Sequence, residues 1–336
     1  MNQVKKIWNY LRQYGIKLLI FKLLRRPHNY GISYREWRQK NGSVPHCETT
    51  SSDIKISIVV PVYNTPELFL RDMIHSVKKQ TYSNWELCIA DGSPSSILGD
   101  IVREIASGDS RVKYVHLSEN LGIAENMNAA IKLASGEYIG FMDHDDLLDS
   151  NALSDVLAVV EQNSETDVVY TDEDKVSTDL KEYFEPHFKP NFNLELLRGN
   201  NYICHFLVVK RQLLEKVGGF QKEYEGAQDY DFIFRCVEAA NKIVHVPKIL
   251  YHWRIHENST SGRPESKRYA YESGKRAIEA HLKRCQEKAE VFHTEYPGFY
   301  RVKYQKQGLQ NVSIFVMHDE ETVSRKQLKK CVQSVR

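Results

Sequence analysis

Three carboxylates close one apolar run. Asp143, Asp145 and Asp146, with His144 among them, follow Tyr138-Ile139-Gly140-Phe141-Met142. A short stretch rich in aromatic and β-branched residues reads as a buried strand. Open α/β sheets hold their ligands at the C-terminal tips of such strands. Two carboxylates one residue apart there can both reach a hard divalent cation and the diphosphate it carries. The plainer reading is an acidic N-cap for the helix that begins near Asn151, and Asp149 or Ser150 fits that role better than Asp143.

The elements that position these acids follow from periodicity and turn signals. Residues 56–62, 86–90, 112–117 and 138–142 read as strands, the first breaking at Pro61 into Tyr63-Asn64-Thr65-Pro66. Helical patterns separate them, one from Gly122 to Ala134. Such alternation implies right-handed crossovers and a parallel sheet, hence an α/β fold. Pro61 to Asn64, Asp91 to Ser93 and Asp143 to Asp146 then converge on one sheet edge. Further strands are expected at 167–170, ending in Thr171-Asp172-Glu173-Asp174-Lys175, and at 200–209 and 243–246. Gln228-Asp229-Tyr230-Asp231 leads into a helix, Tyr251-His252-Trp253-Arg254 follows the last strand, and residues 266–287 form a charged helix.

The 336 residues suit one large domain with appendages, or two domains. A net charge of +2 implies no global attraction to nucleic acid. The six cysteines form no C-x-x-C pair, which argues against a zinc ribbon and fits a reducing compartment. No apolar run is long enough to span a bilayer, and no secretion signal is recognisable at the start. Residues 3–25 read as a basic amphipathic helix. Ile7, Trp8, Leu11, Tyr14, Leu18, Phe21 and Leu24 recur at helical spacing among Lys5, Lys6, Arg12, Lys17, Lys22 and Arg25. Such a helix lies on an anionic membrane surface, or docks on its own enzyme or a partner. Pro27 ends it, and Asn41 to Asp53 reads as a linker. Near the C-terminus, Asn311 to Val316 and Gln327 to Val335 echo the first strand and helix at 55–77. The expected division is therefore an extension and linker (1–50), a principal domain (51–262), a helix and linker (263–305), and the start of a second copy (306–336) that continues past Arg336.

Taken together, Val-Val-Pro-Val-Tyr-Asn (59–64), Ala-Asp-Gly-Ser (90–93), Asn-Leu-Gly-Ile-Ala (120–124) with Asn128, Asp-His-Asp-Asp (143–146), Tyr-Thr-Asp-Glu-Asp-Lys (170–175), Gln-Asp-Tyr-Asp (228–231) and His-Trp-Arg (252–254) resemble family-2 glycosyltransferases. The bacterial branch that builds rhamnose-containing and related surface polysaccharides, O-antigen among them, is the nearest likeness. The resemblance covers about residues 55–262. It implies the GT-A fold, with a Rossmann-like, mostly parallel central sheet flanked by helices. It also implies a UDP- or dTDP-linked sugar donor, Mg²⁺ or Mn²⁺, and inverting transfer to a hydroxyl of a glycan or lipid-linked glycan. The site of action would be cytoplasmic, peripheral at the inner face of the plasma membrane.

Charge develops on the departing diphosphate, which calls for a Lewis acid there, and inversion calls for a base on the opposite face. The resemblance makes Asp145 the direct metal ligand. It puts Asp143 on the ribose or on the metal, and His144 near the donor. Asp91 would hold base and ribose, or be only a turn residue. Pro61, Tyr63 and Asn64 would line the nucleobase pocket, with Asn128 and Gly122 as weaker picks. Asp229 is the candidate base and Asp231 its alternative; both would otherwise cap a helix. His252 would be a third metal ligand or a phosphate donor, Arg254 a bidentate partner of the diphosphate, and Trp253 packing. Asp172, Glu173, Asp174 and Lys175 would recognise acceptor hydroxyls, or form a solvated loop. His205 is an acceptor-pocket residue or a satisfied core histidine. Asn258 to Gly262 would be a flap.

Three other classes compete. A non-catalytic nucleotide-sugar-binding module of a larger synthase would not need both Asp145 and Asp229. A phosphatase using Asp-x-Asp would carry a Thr or Ser continuation that Leu147-Leu148 does not supply. A nucleotidyltransferase would want a Gly-rich phosphate loop, which Pro61-Val62-Tyr63-Asn64 is not.

Overall fold

The structure, a computed structural model, describes residues 33–42, 52–256, 268–305, 313–316 and 324–334. The helix expected over 3–25, most of the linker and the flap at 258–262 lie outside these residues. The first described helix, α1 (Tyr34–Asn41), opens with a capping box between Ser33 and Glu36.

The apolar runs build the sheet's parallel half. β1 (Ile56–Val62) pairs in parallel with β2 (Trp85–Asp91) and β4 (Tyr138–Phe141), and β2 pairs with β3 (Val112–His116). The crossovers are α2 (Glu67–Lys78), α3 (Ile97–Ala106) and α4 (Ile123–Leu133). After the acids come β5 (Leu147–Leu148), α5 (Ala152–Gln162), β6 (Thr166–Ser177) and β7 (Tyr183–His187). Next are α6 (Leu194–Gly199), β8 (Leu207–Lys210), α7 (Arg211–Val217), α8 (Gln228–Ala239) and β9 (Lys242–Ile255). The order across the sheet is β3-β2-β1-β4-β8-β6-β9-β5, with β7 on β6. β8 runs antiparallel to β4 and β6, and β5 to β9, so this second half is mixed.

Alternation along β1 sends Ile56, Ile58, Val60 and Val62 to one face, where α2, α3 and α5 pack. Val59 and Ile139 face α4, α8 and α9 (Arg268–Arg284) on the other. β1 does not break at Pro61 as expected. Val59 is bonded towards β4, through Met142 N to Val59 O, and Val62 towards β2, through Gly92 N to Val62 O. Position 61 therefore faces β4, whose pairing with β1 has ended at Val59 and Phe141, so a missing N–H costs no ladder bond.

Two strands are longer than the sequence suggests. β6 runs through the whole charged cluster, and β9 carries His252 and Arg254 inside the sheet. The interval expected as helix and linker also holds a hairpin, β10 (Ala289–His293) with β11 (Tyr300–Tyr304). Residues 313–316, expected as a strand, form no ladder, while a helix, α10 (Arg325–Ser334), does follow with no buried residue. Among the described residues, no helix is long and apolar enough to cross a membrane.

Candidate active site

The acid loop is anchored by its last member. Asp146 is fully buried; its Oδ2 accepts from the Tyr251 hydroxyl at 2.6 Å and its Oδ1 from Arg254 N at 2.8 Å. Burial, then the charges of Asp145 and Asp143, push its carboxyl well above the usual range. The Tyr251 hydroxyl also accepts from Asp143 N at 3.2 Å, so one phenol ties both ends of the loop. Gly140 lets the strand approach closely, because a Cβ there would stand 2.6 Å from Phe206 Cζ.

Asp143 and Asp145 are left partly open at the tip. Asp143 Oδ2 lies 3.6 Å from His205 Nε2, and Asp145 Oδ2 lies 2.8 Å from His256 Nε2. Ligand atoms of Asp143, Asp146 and His205 all fall within 4.8 Å of one another. Carboxylate oxygens with an imidazole at hand suit Mg²⁺ or Mn²⁺. His256 escaped the sequence reading, although it stands only two residues beyond Arg254 at the end of β9.

His252 and Arg254 are placed otherwise than expected. His252 is buried, its Nδ1 2.6 Å from Asp174 Oδ1 and its Nε2 4.0 Å from Asp149 Oδ2. Inside β9 it faces acids of the fold rather than Asp145. The fully buried Arg254 guanidinium donates to Asp72 Oδ2 at 3.0 Å, Asp145 O at 2.8 Å and Thr178 O at 3.2 Å. It therefore braces the acid loop against α2, with its donors committed inside the protein instead of presented to a diphosphate.

The side expected to take the nucleotide is built at the tips of β1 and β2. Asp91 is buried; its Oδ1 accepts from Ser93 N at 2.8 Å and its Oδ2 from the Tyr114 hydroxyl at 2.8 Å. The turn reading and a binding reading coexist at this residue. Ser93 Oγ in turn accepts from Asn64 N at 2.8 Å, which fixes the loop carrying exposed Tyr63, while Pro61 stays buried opposite Ala90. Asn128 does not face this site. Its amide donates to Phe220 O and accepts from Phe220 N, each at 2.8 Å, clamping α4 to the segment before α8. Asn126, two residues earlier on the helix, is the one turned towards Gly92. It is buried, donates to Asn120 Oδ1 at 2.9 Å, and its own Oδ1 has no hydrogen-bond partner among the described residues. At Gly122, the N-terminus of α4 is capped by Glu225, whose Oε1 accepts from Ile123 N at 2.7 Å.

Asp229 occupies the first turn of α8 and accepts from Asn201 Nδ2 at 2.7 Å. Burial pushes its pKa up and Asp143 adds to this, against the opposing pull of His205, the Tyr230 N–H and Asn201. Its alternative, Asp231, is fully buried against Arg235 at 2.8 Å, and Arg235 holds the carbonyls of Val217, Gly218 and Gly219. Asp231 is thus committed to the fold. His205 stacks on Tyr251 with centroids 4.8 Å apart, which places its ring beside the acid loop.

The acids of the charged run, Asp172 to Asp174, lie buried in a strand and form no solvated loop, while Lys175 beside them is partly exposed. β6 is buried over most of its length, so its acids require internal partners. Asp172 takes Lys189 N and His245 Nε2, both at 2.8 Å. Glu173 takes Lys189 Nζ and His187 Nδ1, both at 3.3 Å. Asp174 takes His252 and the Tyr34 hydroxyl, the latter at 2.5 Å, and so secures α1. Lys175 pairs with Glu185 at 2.6 Å. A cavity of about 1280 Å³ opens beside α1, lined by Trp37, Arg38, Tyr183 and Lys248 among others, but not by Asp91, Asp143, Asp145 or Asp229.

A sheet of this topology, with acids at the β4 tip and an aspartate opening α8 across from them, defines a GT-A glycosyltransferase domain. The comparisons agree. Residues 57–218 match the description "Glycosyl transferase family 2". Over 265 residues the chain is 42% identical to the uncharacterized protein y4gI of Sinorhizobium fredii, covering 78% of this chain and 29% of that protein. Over 262 residues it is 36% identical to the O-antigen biosynthesis protein RfbC of Myxococcus xanthus, covering 78% and 20%. The chain thus spans less than a third of the length of these two relatives. Among solved structures, the fold matches S. aureus TarS 1–349 in complex with UDP-GlcNAc, with a TM-score of 0.55, 23% identity, and 68% of this chain and 66% of that chain covered. It also matches the mannosyltransferase PcManGT of Pyrobaculum calidifontis in complex with GDP-Man and Mn²⁺, with a TM-score of 0.52, 17% identity, and 82% and 73% covered. Residues 57–218 thus form a domain of glycosyl transferase family 2.

Proposed function

We propose that this domain is an inverting, metal-dependent transferase moving a sugar from a UDP- or dTDP-linked donor to a hydroxyl of a growing surface glycan. The observation that carries the reading is the pairing of partly open Asp143 and Asp145 with an aspartate of raised pKa, Asp229, on the helix opposite. Asp143, Asp145, His205 and His256 are the groups that would hold Mg²⁺ or Mn²⁺. When bound, the cation supplies Lewis-acid neutralisation of the leaving diphosphate. The chain's own residues orient and deprotonate. Asp91 and the Asn64 loop seat the nucleoside, Arg254 and Tyr251 hold the acid loop in place, and Asp229 accepts the acceptor's proton at its carboxylate. TarS and RfbC, by their names and ligands, support a nucleotide sugar and surface-glycan synthesis.

The test is release of nucleoside diphosphate from a panel of UDP-, dTDP- and GDP-linked sugars. Release should occur with one nucleotide series, stop in EDTA and return with Mn²⁺ or Mg²⁺. Turnover indifferent to chelator would remove the metal from the mechanism, and binding without turnover would leave only a nucleotide-sugar-binding module.

The proposal includes location: a cytoplasmic enzyme held at the inner face of the membrane by the basic face of residues 3–25. Full-length protein should sediment with phosphatidylglycerol vesicles, less so as salt rises, and deleting residues 1–26 should abolish this. Equal sedimentation of the deletion variant would reject the membrane role.

A further inference from the structure

α1 precedes the domain's first strand, yet it closes over the strands that hold the acid loop. We propose that α1 is a positioning element of the active site, in which Tyr34, through Asp174 and His252, sets β9 where Tyr251 and Arg254 anchor the acid loop. This rests on the glycosyltransferase reading above and deepens it.

The contacts run unbroken from α1 to the acids. The Tyr34 hydroxyl donates to Asp174 Oδ2 at 2.5 Å, and Arg38 Nε stands 3.7 Å from the same oxygen. Asp174 is wholly buried on β6, and its Oδ1 meets His252 Nδ1 at 2.6 Å. A second route leads to the same imidazole. Arg38 lies over the Tyr183 ring, 3.3 Å from its centroid, and Tyr183 meets His252 edge to face at 5.0 Å. His252 stands in β9 between the two anchors. Tyr251 before it holds Asp143 and Asp146, and Arg254 beyond it holds Asp146 and the Asp145 carbonyl.

The strand pairing shows why these side chains matter. His252 lies opposite Asp174 on β6 and opposite Leu147 on β5, and Leu147 is the residue that follows the acids. The β6–β9 ladder shifts register twice between Thr171 and Glu173. A ladder broken in this way specifies register poorly, so side chains must pin it. Just beyond the shift, Asp174 and His252 are cross-strand partners joined by their side chains. A buried carboxyl keeps such a bond only while its other oxygen is satisfied too, and that partner comes from α1. Burial, then Asp174, push the Tyr34 phenol up, so it stays a donor. α1 is itself fixed, with Trp37 edge to face on Phe188 at 5.0 Å. An inert tether would have no need to complete a buried acid two bonds away from the cleft.

The test uses the full chain with Tyr34→Phe, which removes one hydroxyl and keeps the ring, and with Arg38→Met, which spares that bond and uncovers Tyr183. Tyr82→Phe is the control, since its hydroxyl serves Ser52 O and Ile54 O ahead of β1. In metal-free protein, amide exchange over 143–148 and 251–254 should be about tenfold faster in Tyr34→Phe, the scale of one lost hydrogen bond to a charged group. Arg38→Met should show the same pattern to a lesser degree. Mn²⁺, read from the paramagnetic resonance of the free ion, should bind about tenfold more weakly to Tyr34→Phe, and half-maximal turnover should need correspondingly more of it. General destabilisation would lower the folded fraction but leave the Mn²⁺ constant of the folded molecules unchanged. Unaltered exchange and Mn²⁺ affinity in Tyr34→Phe would overturn the proposal, and so would equal changes in Tyr82→Phe. Should Tyr34→Phe not fold, Arg38→Met decides by the same measurements. Failure of the unaltered protein to bind Mn²⁺ or to turn over a donor would instead count against the glycosyltransferase reading, while exchange in the metal-free protein still reports on α1.

Discussion

Replacing Asp229 with asparagine is expected to lower kcat about a thousandfold while donor KM stays near its original value. Asparagine has the same shape, sits in the same turn of α8 and can still accept from Asn201 through its carbonyl oxygen. What it loses is the capacity to take a proton. The carboxylate is reactive only when deprotonated, and burial with help from Asp143 raises its pKa above the ordinary aspartate value. Turnover at saturating donor should therefore fall as pH drops through that raised value. Asn201 favours the charged form, so Asn201→Ala should move the acid limb of the kcat profile to higher pH. An acid limb that does not move in Asn201→Ala, or an Asp229→Asn protein that cannot bind donor, would transfer Asp229 from the base to the donor side of the site.

Legibility in the sequence followed the physics of each segment. β1, β2 and β4 are buried along every residue, so they read as unbroken apolar runs and their tips located Asp91 and Asp143 to Asp146. β6 and β9 defeated the same reasoning because their buried faces carry acids and histidines. Those are tolerated only by partners remote in sequence, such as Lys189 and His245 for β6 or Tyr34 for Asp174. A charged run inside a central strand looks like a loop until its partners are known. Asn126 and Asn128 were confused for another reason. Two residues along a helix reverse the face, and one sequence does not fix the phase to that accuracy. The Asp-x-Asp pattern was likewise readable, but not which histidine approaches it. His252 and His256 lie four residues apart, and the end of β9 separates a histidine inside the sheet from one at the cleft.

Lys189→Met is expected to destabilise the fold by about 3–5 kcal/mol near neutral pH, the usual cost of stranding one member of a buried ion pair. Lys189 is buried and donates to Glu173 and to the carbonyls of Ile203, at 2.7 Å, and His205. Burial alone would push Glu173 up, but Lys189, with His187 and His205, outweighs it and holds the carboxyl at about 2. The folded pKa lies below the unfolded one of roughly 4.5, so the carboxylate's contribution is complete above that pH and is lost as pH falls towards about 2. It amounts to about 3 kcal/mol. The gap between original and variant in urea unfolding should thus be widest near neutrality and shrink in acid. Glu173→Gln added to Lys189→Met should recover part of the loss, because no charge is then left unpaired. A gap that does not change with pH would mean that Lys189 acts only through the two carbonyls. Those carbonyls belong to the loop carrying Asn201 and His205, which touch Asp229 and Asp143 respectively. Both variants should therefore lose more kcat than stability at the assay temperature explains, since neither can hold that loop against the cleft.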